Sequence, residues 1–148
     1  MSLAETIDEH LIEAMKAGDK KKVTVLRGLK SDLKYKQIET GSDLTEEHMI
    51  EVLNSAAKKR REAIEQFRQA GRDDLVEQED LELEIITGYL PEQLGEQDLR
   101  EMIQAAIEET GADSPKDIGP VMRVLMPKVK GRADGKQVNR LVAELLAK

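Results

Sequence analysis

Residues 44–70 read LTEEHMIEVLNSAAKKRREAIEQFRQA, and this stretch decides the fold class. Thr45 is a helix-capping residue whose hydroxyl can accept from first-turn amides. Glu46 and Glu47 suit the positive end of the helix dipole, and Leu44 can staple onto Met49. Met49, Leu53, Ala56, Ile64 (beside Ala63) and Phe67 then recur at helical spacing until Gly71 ends the run. This is the longest helix the chain predicts. Arg60 interrupts the apolar stripe where a Leu would be expected. Its stem either snorkels past the core, or the group is partly buried and paired with a carboxylate from the acidic segment that follows.

The same signals extend in both directions. Upstream, Leu3, Ile7, Leu11 and Met15 predict a helix over about 2–17 with Gly18 as its C-cap. Asp19 can cap a second helix to about Glu39, with Val23, Leu26, Leu29 and Leu33 inward and Gly41-Ser42 closing it. Downstream, Asp73 is placed as the cap of a fourth helix reaching about Tyr89. Pro91 stops it, because proline disfavours helical geometry in the residue before it. Beyond that boundary, 97–110 forms a helix ended by Gly111. Ser114-Pro115 opens another to about Met126, distorted by Pro120, and a last one starts near Asp134 with Val138, Leu141, Val142 and Leu145 inward. No period-2 alternation occurs. The fold class expected is all-α and multihelical, with an N-terminal helical lobe over 1–90 holding the long helix and a small three-helix lobe over 91–148.

Composition agrees with helices and narrows the chemistry. Of 148 residues 39% are apolar and 2% aromatic (Phe67, Tyr35 and Tyr89), which argues against an all-β fold and against a single-strand nucleic-acid binder that stacks bases on aromatic platforms. Cysteine is absent, so disulfides, thiolate nucleophiles and Cys-ligated metals are excluded. No apolar run exceeds three residues, so neither a transmembrane span nor a signal-peptide core is expected, and a cytoplasmic protein without membrane partners is the simplest expectation. The net charge of −7 is unevenly spread: residues 73–98 hold ten carboxylates and no Lys or Arg, whereas 123–140 hold six basic groups against Asp134 alone.

No catalytic constellation emerges. His10 and His48 read as surface histidines rather than metal ligands, no Glu-x-x-His pair exists, and no serine sits in a Gly-x-Ser-x-Gly elbow. Gly131 to Lys136 imitates a phosphate loop, but it is one residue short and lacks the hydroxyl that would hold magnesium. No cofactor or metal site is expected. The run Lys58-Lys59-Arg60-Arg61 wraps around its helix and makes no single patch.

Two basic features remain. On the second helix Lys20, Arg27, Lys30 and Lys34 fall within an arc of about 80°, a strip able to follow a phosphate backbone. Near the C-terminus Lys128, Lys130, Arg132 and Lys136 surround the turn from Gly131 to Gly135, where helix-start amides and cations favour an anion, against the opposing charge of Asp134. Changing Lys130 and Arg132 to Ala is expected to weaken RNA binding without altering thermal stability.

With those residues in view, the chain resembles the GatB/YqeY family, in particular its free-standing YqeY-like members. The likeness covers nearly the full length and is most specific at 58–75 (KKRREAIEQFRQAGRDDL), 89–94 (YLPEQL) and 126–142 (MPKVKGRADGKQVNRLV). It implies that the C-terminal lobe is similar to the tail of the GatB subunit of glutamine-dependent Glu/Asp-tRNA amidotransferase, a helical module that contacts tRNA. Carried over by position, the likeness puts Lys128, Lys130, Gly131, Arg132, Gly135, Lys136 and Asn139 at the RNA-facing turn. Pro120 departs from the pattern. The chain has no counterpart of the GatB body or of an amidase signature. The resemblance therefore implies a non-catalytic module binding tRNA or other structured RNA, alone or beside an amidotransferase or synthetase. Two alternatives stand beside it: a catalytic component with carbon–nitrogen ligase activity that uses glutamine as amido-N-donor, and a protein–protein adaptor built on the acidic block.

Overall fold

The computed structural model describes residues 1–147, and its helices begin and end largely at the chemical signals in the sequence. Helix α1 (Leu3–Ala17) starts where the Ser2 hydroxyl accepts from the Glu5 amide at 3.1 Å and stops at Gly18, whose φ of 71° lies in the left-handed region. Helix α2 (Lys20–Thr40) starts one residue later with the Asp19 carboxylate accepting from the Lys22 amide. Helix α3 (Glu46–Gln69) opens with a reciprocal cap: Thr45 Oγ1 accepts from the His48 amide and His48 Nδ1 accepts from the Thr45 amide. A histidine thus does what glutamate usually does in a capping box.

Helix α4 (Asp73–Thr87) corrects one expectation. Asp73 is its first helical residue, and the preceding residue, Arg72, supplies no side-chain cap. Arg72 instead grips Asp74 through two hydrogen bonds of 3.2 and 3.1 Å, which hold the Asp74 carboxyl below the usual carboxylate range. The C-terminal helices are α5 (Glu96–Thr110), α6 (Ile118–Val129) and α7 (Gly135–Leu146), with a single 3-10 turn at Pro115–Asp117 before α6. No strand occurs among the described residues, so the molecule is all-α.

The segment around α6 differs most from its sequence reading. Ser114 makes no cap hydrogen bond; the Asp117 carboxylate accepts from the Asp113 amide at 3.1 Å and the chain restarts as an α-helix at Ile118. Pro120 therefore lies in the first turn, where a missing N–H goes unused, and breaks nothing. Pro127, one residue past the expected end near Met126, lies inside the helix, and helical geometry continues to Val129.

Two compact units divide the chain, Met1–Pro91 and the segment from Glu92 onward. In the first, Ile7, Leu26, Leu53 and Ile86, one from each of α1 to α4, are fully inaccessible to solvent. Met15 is exposed and Ala14 takes the inward position on α1. In the second, Leu99 and Ile103 of α5 meet Val121 and Leu125 of α6 and Val138, Leu141 and Val142 of α7, with Leu146 buried more deeply than Leu145. No polar or charged residue is buried among the described residues. Both cores are held by aliphatic burial, about 1.5–3 kcal/mol for each large side chain. Polar chemistry is left to the surfaces.

Candidate nucleic-acid interface

Along α2 the four cations of the strip are all exposed. Lys30 is held by Asp8 of α1, Nζ to Oδ1 3.0 Å. Among the described residues no carboxylate lies within ion-pairing distance of Lys20, Arg27 or Lys34. From Lys20 to Lys34 the strip extends about 21 Å, given roughly 1.5 Å per helical residue. Three unpaired cations on one helix, about 10 Å apart along its axis, can meet phosphates without first breaking an internal pair.

The C-terminal turn is arranged differently. Gly131 is buried with φ 75°, and its carbonyl accepts from Gln93 Nε2 at 2.8 Å. The Arg132 carbonyl accepts from the Leu94 amide at 2.8 Å, while its guanidinium donates to the carbonyls of Glu92 (3.2 Å) and Lys128 (3.3 Å). Residues 92–94 are thereby latched onto the turn. Arg132 serves the backbone, so the expectation that its loss would leave stability unchanged is revised.

Lys128 lies 3.9 Å from Glu109, and Lys130 and Lys136 are exposed. Asp134 caps α7 by accepting from the Lys136 amide, which removes one of the helix-start donors an anion would use. Gly135 is the first residue of α7, and Asn139 donates to its carbonyl at 3.2 Å. Of the seven positions carried to this turn, Gly131, Arg132 and Asn139 thus have bonds that build the turn itself. The turn is a structural device with cations around it; on the α2 strip only Lys30 has such a contact among the described residues.

One feature was missed in the sequence. His10 is no plain surface histidine: its Nδ1 meets the Tyr89 hydroxyl at 2.6 Å, and the rings lie 5.5 Å apart. Burial, with the Glu13 charge second, pushes the Tyr89 phenol up, so it stays protonated in this hydrogen bond, whose direction is set by the His10 tautomer. The pair lines a groove of about 580 Å³ with Lys21, Lys22, Leu81 and Ile85. The partners are 79 residues apart, a separation that no local pattern reveals.

The surroundings of Arg60 decide between its two sequence readings. Its Nε lies 3.6 Å from Glu79 and 3.5 Å from Glu82 of α4, so it is paired with the acidic segment. Burial first, and then the Glu82 charge, push the Glu79 carboxyl up, while Arg60 pulls it down. Both Arg60 Nε and Glu79 Oε2 are buried without a hydrogen-bond partner. The described residues contain no group of three or more His, Asp and Glu able to hold a metal, and no helix long and apolar enough to cross a membrane.

Fold and surface together define a two-unit helical protein with dry aliphatic cores and its ionisable groups outside them. Residues 4–146 match the sequence pattern of the family described as Yqey-like protein, and the chain belongs to that family. It is 27% identical over 139 residues to altered inheritance of mitochondria protein 41, mitochondrial, of Pyrenophora tritici-repentis, an alignment covering 92% of this chain and 76% of the relative. The protein of the same name from Lachancea thermotolerans is 39% identical over 85 residues, 57% of this chain and 46% of that protein. An uncharacterized protein of Schizosaccharomyces pombe is 33% identical over 91 residues, 62% of this chain and 74% of that protein. The mitochondrial names overturn the cytoplasmic expectation. That expectation rested on missing cysteines and missing apolar runs, which bear on disulfides and membranes and do not distinguish one aqueous compartment from another.

Proposed function

We propose that this chain is a non-catalytic helical module that binds structured RNA, tRNA first among the candidates, by phosphate contact along α2. One observation carries the reading: Lys20, Arg27 and Lys34 are exposed and unpaired on one helix of a chain whose net charge is −7. An unpaired row of cations on one helix face forms a local positive field against the overall charge. The likeness of the C-terminal lobe to the GatB tail supports tRNA as the RNA. It also supports a larger amidotransferase or synthetase as the setting, with Lys128, Lys130 and Lys136 as secondary contacts. Shape and backbone recognition suit such a surface, since a cationic helix face offers little to read base edges.

The test is equilibrium filter binding of tRNA at two salt concentrations. The chain should bind with affinity that falls as salt rises. The triple variant K20A/R27A/K34A should bind at least about tenfold more weakly, with a log–log salt slope smaller by about 2–3. Absence of salt-dependent binding, or identical binding by the variant, overturns the proposal. Glutamine-dependent amidation of Glu-tRNA by the purified chain, abolished by a single substitution, would replace it with the ligase reading.

A further inference from the structure

The outer face of α2 carries more than charge. Tyr35 is 71% exposed and Ile38 68%, one turn beyond the cations. A lone exposed apolar side chain is ordinary; two within one turn of a helix, next to unpaired cations, form a patch. At about 100° per residue, Ile38 falls at the edge of the cationic arc and Tyr35 about 60° outside it. Ser31, Lys34, Tyr35 and Ile38 surround a hollow of about 320 Å³.

We propose that this end of α2 is a stacking site for one unpaired base of an RNA whose phosphates run along Lys34, Arg27 and Lys20. The inference rests on the RNA-binding reading above and deepens it, because it specifies a ligand with a single-stranded segment. A continuous duplex hides the faces of its bases and offers nothing to an exposed phenol ring. A splayed base presents a flat apolar face, and aromatic side chains hold such bases without reading their sequence. Ile38 gives the base an apolar edge, and Lys34 lines the same hollow and can meet the flanking phosphate.

Charge fixes the direction of the strand. On its other side Tyr35 borders a hollow lined by Asp32, Glu39 and Glu51 against Lys36 and Lys59. A phosphate is disfavoured there, whereas a neutral base is tolerated. The backbone therefore leaves toward Lys34, down the strip, and the unpaired base lies at the C-terminal end of α2.

The experiment measures binding of labelled RNA hairpins with one common stem, blunt or carrying a short single-stranded overhang, at low salt. The proteins are the intact chain, Y35A, Y35F and K20A/R27A/K34A, each checked for an unchanged melting temperature, since these side chains lie outside the core. The intact chain should favour the overhang hairpin about tenfold. Y35A should lose that preference, Y35F should keep it, and the cation variant should weaken both RNAs together. If Y35A keeps the preference while the cation variant still binds weakly, the stacking site is overturned and RNA binding stands. If the intact chain binds neither hairpin, both fall. If an acidic protein occupies the patch in a Tyr35-dependent way and no overhang preference exists, the patch is a protein-docking surface and the stacking site is overturned.

Discussion

The Arg60 triad is where single side chains decide stability. Arg60, Glu79 and Glu82 are 31%, 21% and 18% exposed, so each has lost much of its hydration and depends on the others. Replacing Arg60 with Leu leaves two facing carboxylates without a counter-charge and should cost about 1–3 kcal/mol at neutral pH, read from denaturant melts. Glu79→Gln should act oppositely. A carboxyl pushed above its ordinary 4.5 contributes most to stability when protonated, and that contribution disappears as pH rises through its folded value. The glutamine variant should therefore be at least as stable as the parent at neutral pH, with the difference shrinking toward pH 4.5. A variant less stable at every pH would show that the pairing with Arg60 outweighs burial. The sequence offered both readings of Arg60, because an arginine on an apolar stripe has the same spacing whether or not a carboxylate waits on the neighbouring helix. His10 gave less, since its acidic neighbours in sequence say nothing of Tyr89.

At the level of elements, the chain's punctuation is legible and its prolines are less so. Gly18, Gly41, Gly71 and Gly111 all take positive φ at or beside a helix end, where L side chains are strained, and each was recognisable from the end of an apolar period. Pro91 was read as a stop and Pro120 as a distortion, yet a proline's effect depends on which N–H it removes. Pro120 removes one from the unbonded first turn of α6, while Pro127 removes one from the interior. Pro127→Ala should accordingly raise the melting temperature and Pro120→Ala leave it nearly unchanged. The reverse ranking in thermal melts would contradict this account. The candidate site was legible to the same extent: α2 periodicity located the strip, but which cations had partners depended on α1. The duties of Arg132 depended on residues 92–94, some forty positions away.

Over the whole molecule, the two cores share no residue: one is drawn from α1 to α4 with Leu90, the other from α5 to α7 with Ala133. Separately expressed segments 1–91 and 92–148 should each melt cooperatively, the shorter one at lower temperature, because a chain of that size buries a smaller share of its surface. Absence of a sigmoidal melt for 1–91 would refute this. The split also governs where function is sought, since the unpaired α2 cations belong to the first unit and the basic turn at Gly131 belongs to the second. The latch at Gly131 and Arg132 adds a practical rule. A fragment trimmed to open at Gly95, where the first C-terminal helix is about to begin, would discard Glu92, Gln93 and Leu94. The hairpin between the last two helices would then have three severed hydrogen bonds, so the non-helical prefix belongs to any minimal version of that lobe.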